Sequence, residues 1–218
     1  MSEARAARLA ILRAGGLYLV TDERQDPGTR RHVVAEALAA GVRVVQLRDK
    51  AAMGRALFQE AQVLGELCHA HGALLIVNDR ADVAVAAGAD GVHVGQDDLP
   101  LPAARRVVGE HLLVGVSASF VDEVVAAERD GADYVGFGAM FPTPTKRDAE
   151  YAGPALLGEA RQRVRLPLVA IGGITAQNVA EVLAARPDWI AVVSAVCAAP
   201  RPGEAARELL ELMRARSV

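Results

Sequence analysis

The sequence predicts a single-domain (β/α)8 barrel of the TIM type over residues 1–218, and three observations carry that expectation. Short apolar runs rich in valine and isoleucine alternate with longer alanine-rich segments of helical periodicity from one end of the sequence to the other. The runs are too apolar for a sheet with one wetted face and suit parallel strands covered on both sides. Eight strand–helix units fit a minimal barrel of 218 residues. The alternative, an open doubly wound sheet, should carry a glycine fingerprint after its first strand, where Leu17-Tyr18-Leu19-Val20 leads instead into Thr21-Asp22.

A helical extension is expected over residues 1–16, ahead of strands at 17–20, 42–47, 73–77, 91–94, 112–116, 134–137, 168–171 and 190–193. Between them the 3.6-residue period is clearest at 31–40, 55–71 and 121–129, and a last helix is expected over 204–213. Two related tetrapeptides, Ala87-Gly88-Ala89-Asp90 and Asp130-Gly131-Ala132-Asp133, punctuate the pattern. Their glycines suit a left-handed residue that ends a helix and turns the chain into the next strand. These belong to the scaffold, at the barrel end opposite the chemistry.

Composition narrows the function. A formal net charge of −3 and the absence of a lysine-rich run leave no electrostatic footprint for nucleic acid. Aromatic residues, at 4%, are too few to build stacking platforms. No apolar stretch approaches membrane length, and the run Leu9-Ala10-Ile11-Leu12 is too short for the core of a signal peptide, so the expected location is cytoplasmic. Cys68 and Cys197 stand outside any metal-ligand spacing and read as buried free thiols. Small phosphorylated molecules are the expected partners. The oligomeric state is not legible in the sequence.

Only two of the 24 basic residues are lysines, Lys50 and Lys146, and each closes an apolar run. A chain that otherwise uses arginine places a compact ammonium at two strand ends. Barrels of this type hold their active sites at the C-terminal ends of the strands. Alternation along strand two puts Gln46, Arg48 and Lys50 on one face, an amide and two cations suited to a heterocycle bearing a diphosphate. Strands three and four end in Asn78-Asp79-Arg80 and Gly95-Gln96-Asp97-Asp98. There Asp79 and Asp98 either cap helices or, with substrate oxygens, hold Mg2+. His93, within strand four, reads equally as a core residue or a catalyst, and Ser117 as a substrate ligand or a helix cap. Strand six carries Gly136 and Gly138 and runs into Phe141-Pro142-Thr143-Pro144-Thr145-Lys146, a proline-stiffened loop with hydroxyl and ammonium donors. Strands seven and eight end in Gly172-Gly173 and Ser194, the usual phosphate site of such barrels.

In order along essentially the whole chain, these motifs resemble the thiamine phosphate synthase family. The matching pieces are Tyr18-Leu19-Val20-Thr21-Asp22, Gln46-Leu47-Arg48-Asp49-Lys50, Asn78-Asp79-Arg80, Gly91-Val92-His93-Val94-Gly95-Gln96-Asp97-Asp98, Gly136-Phe137-Gly138, Thr143-Pro144-Thr145-Lys146, Ala170-Ile171-Gly172-Gly173-Ile174 and Val193-Ser194-Ala195. The resemblance implies condensation of 4-amino-5-hydroxymethyl-2-methylpyrimidine diphosphate with a thiazole monophosphate by a dissociative displacement. It implies that Gln46, Arg48, Lys50 and Asn78 hold the pyrimidine diphosphate and that Asp79 and Asp98 bind Mg2+. Ser117 and Lys146, with Arg48 and Lys50, would act on the leaving diphosphate. Thr143, Thr145, Gly172, Gly173 and Ser194 would hold the thiazole phosphate. The family commonly has a histidine two residues after the strand-five serine, where this chain has Ser119. A related thiazole tautomerase depends on that histidine and has a degraded diphosphate motif. The pattern here is the reverse, which leaves the tautomerase, and a non-catalytic phosphate sensor, as the alternatives.

Overall fold

Strand β1 (Gly16–Val20) pairs in parallel with β2 (Val44–Leu47) on one side and with β8 (Trp189–Val192) on the other. The closure passes through β3 (Leu74–Asn78), β4 (Gly91–Val94), β5 (Leu113–Ala118), β6 (Tyr134–Phe137) and β7 (Leu168–Ile171), giving a closed barrel in sequence order. This computed structural model describes residues 3–143 and 151–215. Around the barrel run α2 (Pro27–Ala40), α3 (Gly54–Ala70), α4 (Ala81–Ala86), α5 (Leu101–Val108), α6 (Val121–Arg129), α7 (Gly153–Arg163), α8 (Val179–Ala184), α9 (Ser194–Cys197) and α10 (Pro202–Ala215), with α1 (Glu3–Ala14) preceding β1. The expected barrel with its short N-terminal helix is the fold observed.

Two apolar clusters follow from strand alternation. Leu17, Leu19, Val45, Leu47, Leu75, Val77, Val92, Val135 and Ile190 point outward and pack with the helices. Tyr18, Val20, Val44, Leu74, Ile76, Leu113, Tyr134, Val169, Trp189 and Ala191 fill the interior, together with Leu12 of α1. Large interior rings need small neighbours. A Cβ on Gly115 would lie 2.1 Å from Cζ of Tyr134, and one on Gly136 would lie 3.1 Å from Cε1 of His93. Gly136 therefore makes room for a protein ring.

Three aspartates, each just before an even-numbered strand, tie the barrel's N-terminal end. Asp90, Asp133 and Asp188 accept the backbone N–H of Leu75, Val114 and Leu168, at 2.9, 2.8 and 2.8 Å. Each also pairs with arginine: Arg8 with Asp90, Arg5 and Arg105 with Asp133, and Arg161 with Asp188. Arg5 and Arg8 come from α1, whose Leu12 carbonyl accepts the indole N–H of Trp189 at 2.6 Å. Gly88 and Gly131 have φ of 68° and 87°, the left-handed turn expected of their tetrapeptides.

Some element ends differ from the sequence reading for local reasons. Helix α2 starts at Pro27 rather than residue 31, because Asp26 accepts the Thr29 N–H at 3.1 Å and Pro27 sits at the first turn. Val42 belongs to the helix end, its N–H bonded to Ala37 O at 3.0 Å behind left-handed Gly41, so β2 begins only at Val44. Strands β3 and β5 run on to Asn78 and Ala118, which places Asn78 and Ser117 within strands. Both cysteines are buried and free, and burial pushes each thiol up to about 12. Among the described residues, no helix is long and apolar enough to cross a membrane.

Candidate active site at the C-terminal mouth of the barrel

A cavity of about 480 Å³ opens at the C-terminal ends of the strands. From β2 it is lined by Gln46, Arg48 and Lys50, while Leu47 and Asp49 turn away, Asp49 to pair with Arg30 at 2.8 Å. From β3 and β4 come Asn78, Asp79, His93 and Asp98, and from β5 Ser117 and Ser119. Thr143, Gly172, Gly173 and Ser194 line the opposite side. Thr145 and Lys146, both expected at the site, lie outside the described residues.

The charged side chains are held in place by one another. Arg48 Nη1 lies 3.0 Å from Glu23 Oε2, and the Lys50 backbone N–H donates to the same oxygen at 3.1 Å. Thr21 fixes the backbone here, its hydroxyl accepting from Arg48 N–H at 2.9 Å. The Lys50 ammonium lies 3.3 Å from Asp79 Oδ2. Asp79 occupies a left-handed backbone conformation with φ of 61°, which aims its carboxyl into the mouth. Burial raises its pKa first and the adjoining Asp98 carboxyl raises it further, while Lys50 pulls it down.

Neither aspartate caps a helix. The caps of α4 and α5 are Arg80 and Pro100, without side-chain bonds, and Asp98 Oδ2 instead accepts the Gly95 N–H at 2.9 Å. Two facing carboxyls, one of them disfavoured in its charged form, are a donor set that a hard divalent cation stabilises. Among the described residues no cluster of three histidine, cysteine or acidic side chains exists that could hold a metal ion. Any cation here would complete its shell with substrate oxygens and water.

Beneath these groups, the barrel floor carries a line of hydrogen bonds. Gln46 Nε2 donates to Tyr18 Oη at 2.8 Å, and Tyr18 Oη lies 3.0 Å from Tyr134 Oη. Tyr134 Oη lies 3.1 Å from His93 Nδ1, whose Nε2 is 2.9 Å from Ser117 Oγ. Burial lowers the His93 pKa to about 4, Asp98 opposing the shift, so the ring is neutral at pH 7. Ser117 is thus tied to His93 rather than capping α6. That helix end is served by Glu123, which accepts from the N–H groups of Ser119 and Phe120 at 2.7 and 3.2 Å. The Ser119 hydroxyl donates to Gly138 O at 3.0 Å.

On the far side Gly172 and Gly173 have φ of 102° and 67°. A Cβ on Gly172 would sit 2.7 Å from Ala139 Cα, and one on Gly173 2.8 Å from Phe141 O. These glycines therefore let the segment after β6 fold down onto the loop after β7. Glu23 and the tyrosine pair were not singled out as site residues by sequence reasoning. The strand-one alternation that puts Tyr18 on the interior face was the available signal for the tyrosine; Glu23, in a loop, had none.

The fold and the cavity define a (β/α)8 barrel whose C-terminal mouth brings Arg48 and Lys50 together with aspartates in one ligand-sized pocket. A family model described as thiamine monophosphate synthase matches residues 17–196. The thiamine-phosphate synthase of Methanospirillum hungatei is 48% identical over 200 residues, covering 91% of this chain and 97% of that protein. That of Chloroflexus aurantiacus is 50% identical over 199 residues, covering 90% and 92%. The solved thiamine phosphate pyrophosphorylase from Pyrococcus furiosus superposes with a TM-score of 0.87 at 38% identity, covering 94% of this chain and 98% of that one. The chain belongs to the thiamine monophosphate synthase family.

Proposed function

We propose that this protein condenses 4-amino-5-hydroxymethyl-2-methylpyrimidine diphosphate with 4-methyl-5-(2-hydroxyethyl)thiazole phosphate, or its carboxylated form, to give thiamine phosphate and pyrophosphate. One observation carries the reading. A single cavity has Arg48 and Lys50 beside Asp79 and Asp98 on one side and the Gly172-Gly173 turn with Ser194 on the other. Two differently built anion sites thus face one enclosed space, as the joining of two phosphorylated molecules requires.

Arg48 and Lys50, with Asn78, Ser117 and Lys146, hold the diphosphate as it leaves, and Gln46 reads the pyrimidine edge. Thr143, Thr145, Gly172, Gly173 and Ser194 hold the thiazole phosphate. Asp79 and Asp98 hold Mg2+, which when bound supplies positive charge to the leaving diphosphate. A dissociative displacement breaks the methylene–oxygen bond first, with the bonding pair leaving on pyrophosphate, and the thiazole nitrogen then attacks the pyrimidine-methyl cation. Such a step needs charge stabilised on the leaving group and partners held in line, and little acid–base machinery. The neutral His93 and the absence of an activated nucleophile among the described cavity residues suit that chemistry.

The buried free thiols suit a reducing, cytoplasmic setting. Formation of thiamine phosphate from both substrates with Mg2+, repeated with excess chelator, tests the reading. Metal-dependent product is expected; no product from folded protein would overturn it.

A further inference from the structure

Five side chains on four different strands and β1 share one line of hydrogen bonds, Gln46, Tyr18, Tyr134, His93 and Ser117, and both ends of the line face the cavity. Its middle members also line the cavity floor, but they are largely buried. Tyr18 and Tyr134 are each 1% exposed and His93 8%. Every proton in the line has to be placed, because a buried hydroxyl or ring nitrogen without a partner is costly.

Neutral His93 carries one ring proton, so one nitrogen donates and the other accepts. When the amide nitrogen of Gln46 donates to Tyr18, the acceptor that the line offers the Tyr18 proton is Tyr134. The Tyr134 proton then goes to His93 Nδ1, which leaves the ring proton on Nε2, donating to Ser117 Oγ. With its oxygen occupied as an acceptor, Ser117 is free to direct its own proton into the cavity. Reversing any one bond reverses them all, because each hydroxyl gives one proton. The line has two states. In one, Ser117 donates to the cavity and the Gln46 oxygen faces it; in the other, Ser117 accepts and the Gln46 amide is turned over. An anion beside Ser117 favours the first.

We propose that Tyr18, Tyr134 and His93 are positioning residues that couple the Ser117 proton to the Gln46 amide, so that the site selects a heterocycle presenting an amino donor over one presenting an oxo acceptor. The proposal rests on the pyrimidine reading of Gln46 given above. Tyr134→Phe cuts the line at its centre, leaving no proton for His93 Nδ1 and no acceptor for Tyr18.

The test compares kcat/KM for the 4-amino pyrimidine diphosphate with that for its 4-oxo analogue, in the unmodified protein and in Tyr134→Phe and Tyr18→Phe. Either substitution is expected to reduce the amino-to-oxo preference at least tenfold, with KM for the thiazole phosphate unchanged. An unchanged preference in a folded Tyr134→Phe protein would overturn the coupling. Absence of turnover in the unmodified protein would count against the reaction instead. The direction of the line is then still decided by 15N NMR of labelled histidine, with His93→Gln to assign the signal. With inorganic pyrophosphate bound, an Nε2-protonated His93 supports the coupling, and an Nδ1-protonated ring overturns it.

Discussion

Replacing Arg48 by alanine removes a guanidinium that lines the cavity and whose Nη1 lies 3.0 Å from Glu23 Oε2. A charge-assisted hydrogen bond contributes about 1.5–3 kcal/mol, and a guanidinium offers a diphosphate two in parallel. Part of that capacity is already spent on Glu23, so about 3–4 kcal/mol of transition-state stabilisation is at stake. At about 1.4 kcal/mol per tenfold, kcat/KM for the pyrimidine diphosphate should fall roughly 10²–10³-fold. Some of the loss comes from the Glu23 carboxylate, which is left facing the incoming anion. Removing it as well, in Arg48→Ala/Glu23→Ala, should restore roughly fivefold, because two like charges about 4 Å apart repel by on the order of 1 kcal/mol even at the dielectric of water. Steady-state kinetics with each substrate varied in turn provides the assay. KM for the thiazole phosphate should stay within about twofold. Equal loss toward both substrates would refute the division of the cavity into two anion sites.

Asp98→Asn should raise the Mg2+ concentration for half-maximal rate about tenfold or more, the order seen when a metal site loses part of its support; an unchanged metal titration would reduce Asp98 to its bond with Gly95. Asp133→Asn, at the opposite end of the barrel, removes the charge that Arg5 and Arg105 share from a position that is 7% exposed. Breaking such a buried network costs about 3 kcal/mol, which lowers Tm by roughly 6–12 °C in a chain of this size, while kcat at 25 °C should be unchanged. Acid should weaken the fold through His93. Its folded pKa of about 4 lies below the ordinary 6.5, so the unfolded chain binds more protons between those values. Stability is full above pH 6.5, falls as pH drops toward 4 and levels off below, by about 3 kcal/mol. His93→Gln should flatten this window, as chemical denaturation at pH 7 and pH 4.5 will reveal.

Most of the site was legible because strand alternation is strict. Once Leu47 is assigned to the helix side, Gln46, Arg48 and Lys50 have to face the cavity, and they do. The carboxyls of Asp79 and Asp98 were legible as a candidate pair on neighbouring strand ends, but the backbone that turns them toward each other was not. What turns them together is the left-handed backbone at Asp79 and the loop closed by Gly95, neither of which leaves a pattern in the sequence. His93 looked ambiguous because a histidine in a strand can serve packing or chemistry. It touches Tyr134 and Ser117 at once, a contact across 41 and 24 residues that only the closed barrel creates. Glu23 was missed for the same reason, since its partner Arg48 lies on the next strand.

The N-terminal helix carries a consequence for how the molecule is made. Arg5 and Arg8 find their carboxylates at Asp133 and Asp90, and the Leu12 carbonyl finds the Trp189 indole 177 residues further on. A segment is thus anchored to one that leaves the ribosome 177 residues later. Contacts so distant in sequence carry the largest loop-closure cost and form late. Through most of synthesis the open end of the growing barrel would be bare, with Leu12 and the interior rings waiting for one another. A nascent chain of this design needs β8 before the Leu12 carbonyl of α1 meets its indole partner.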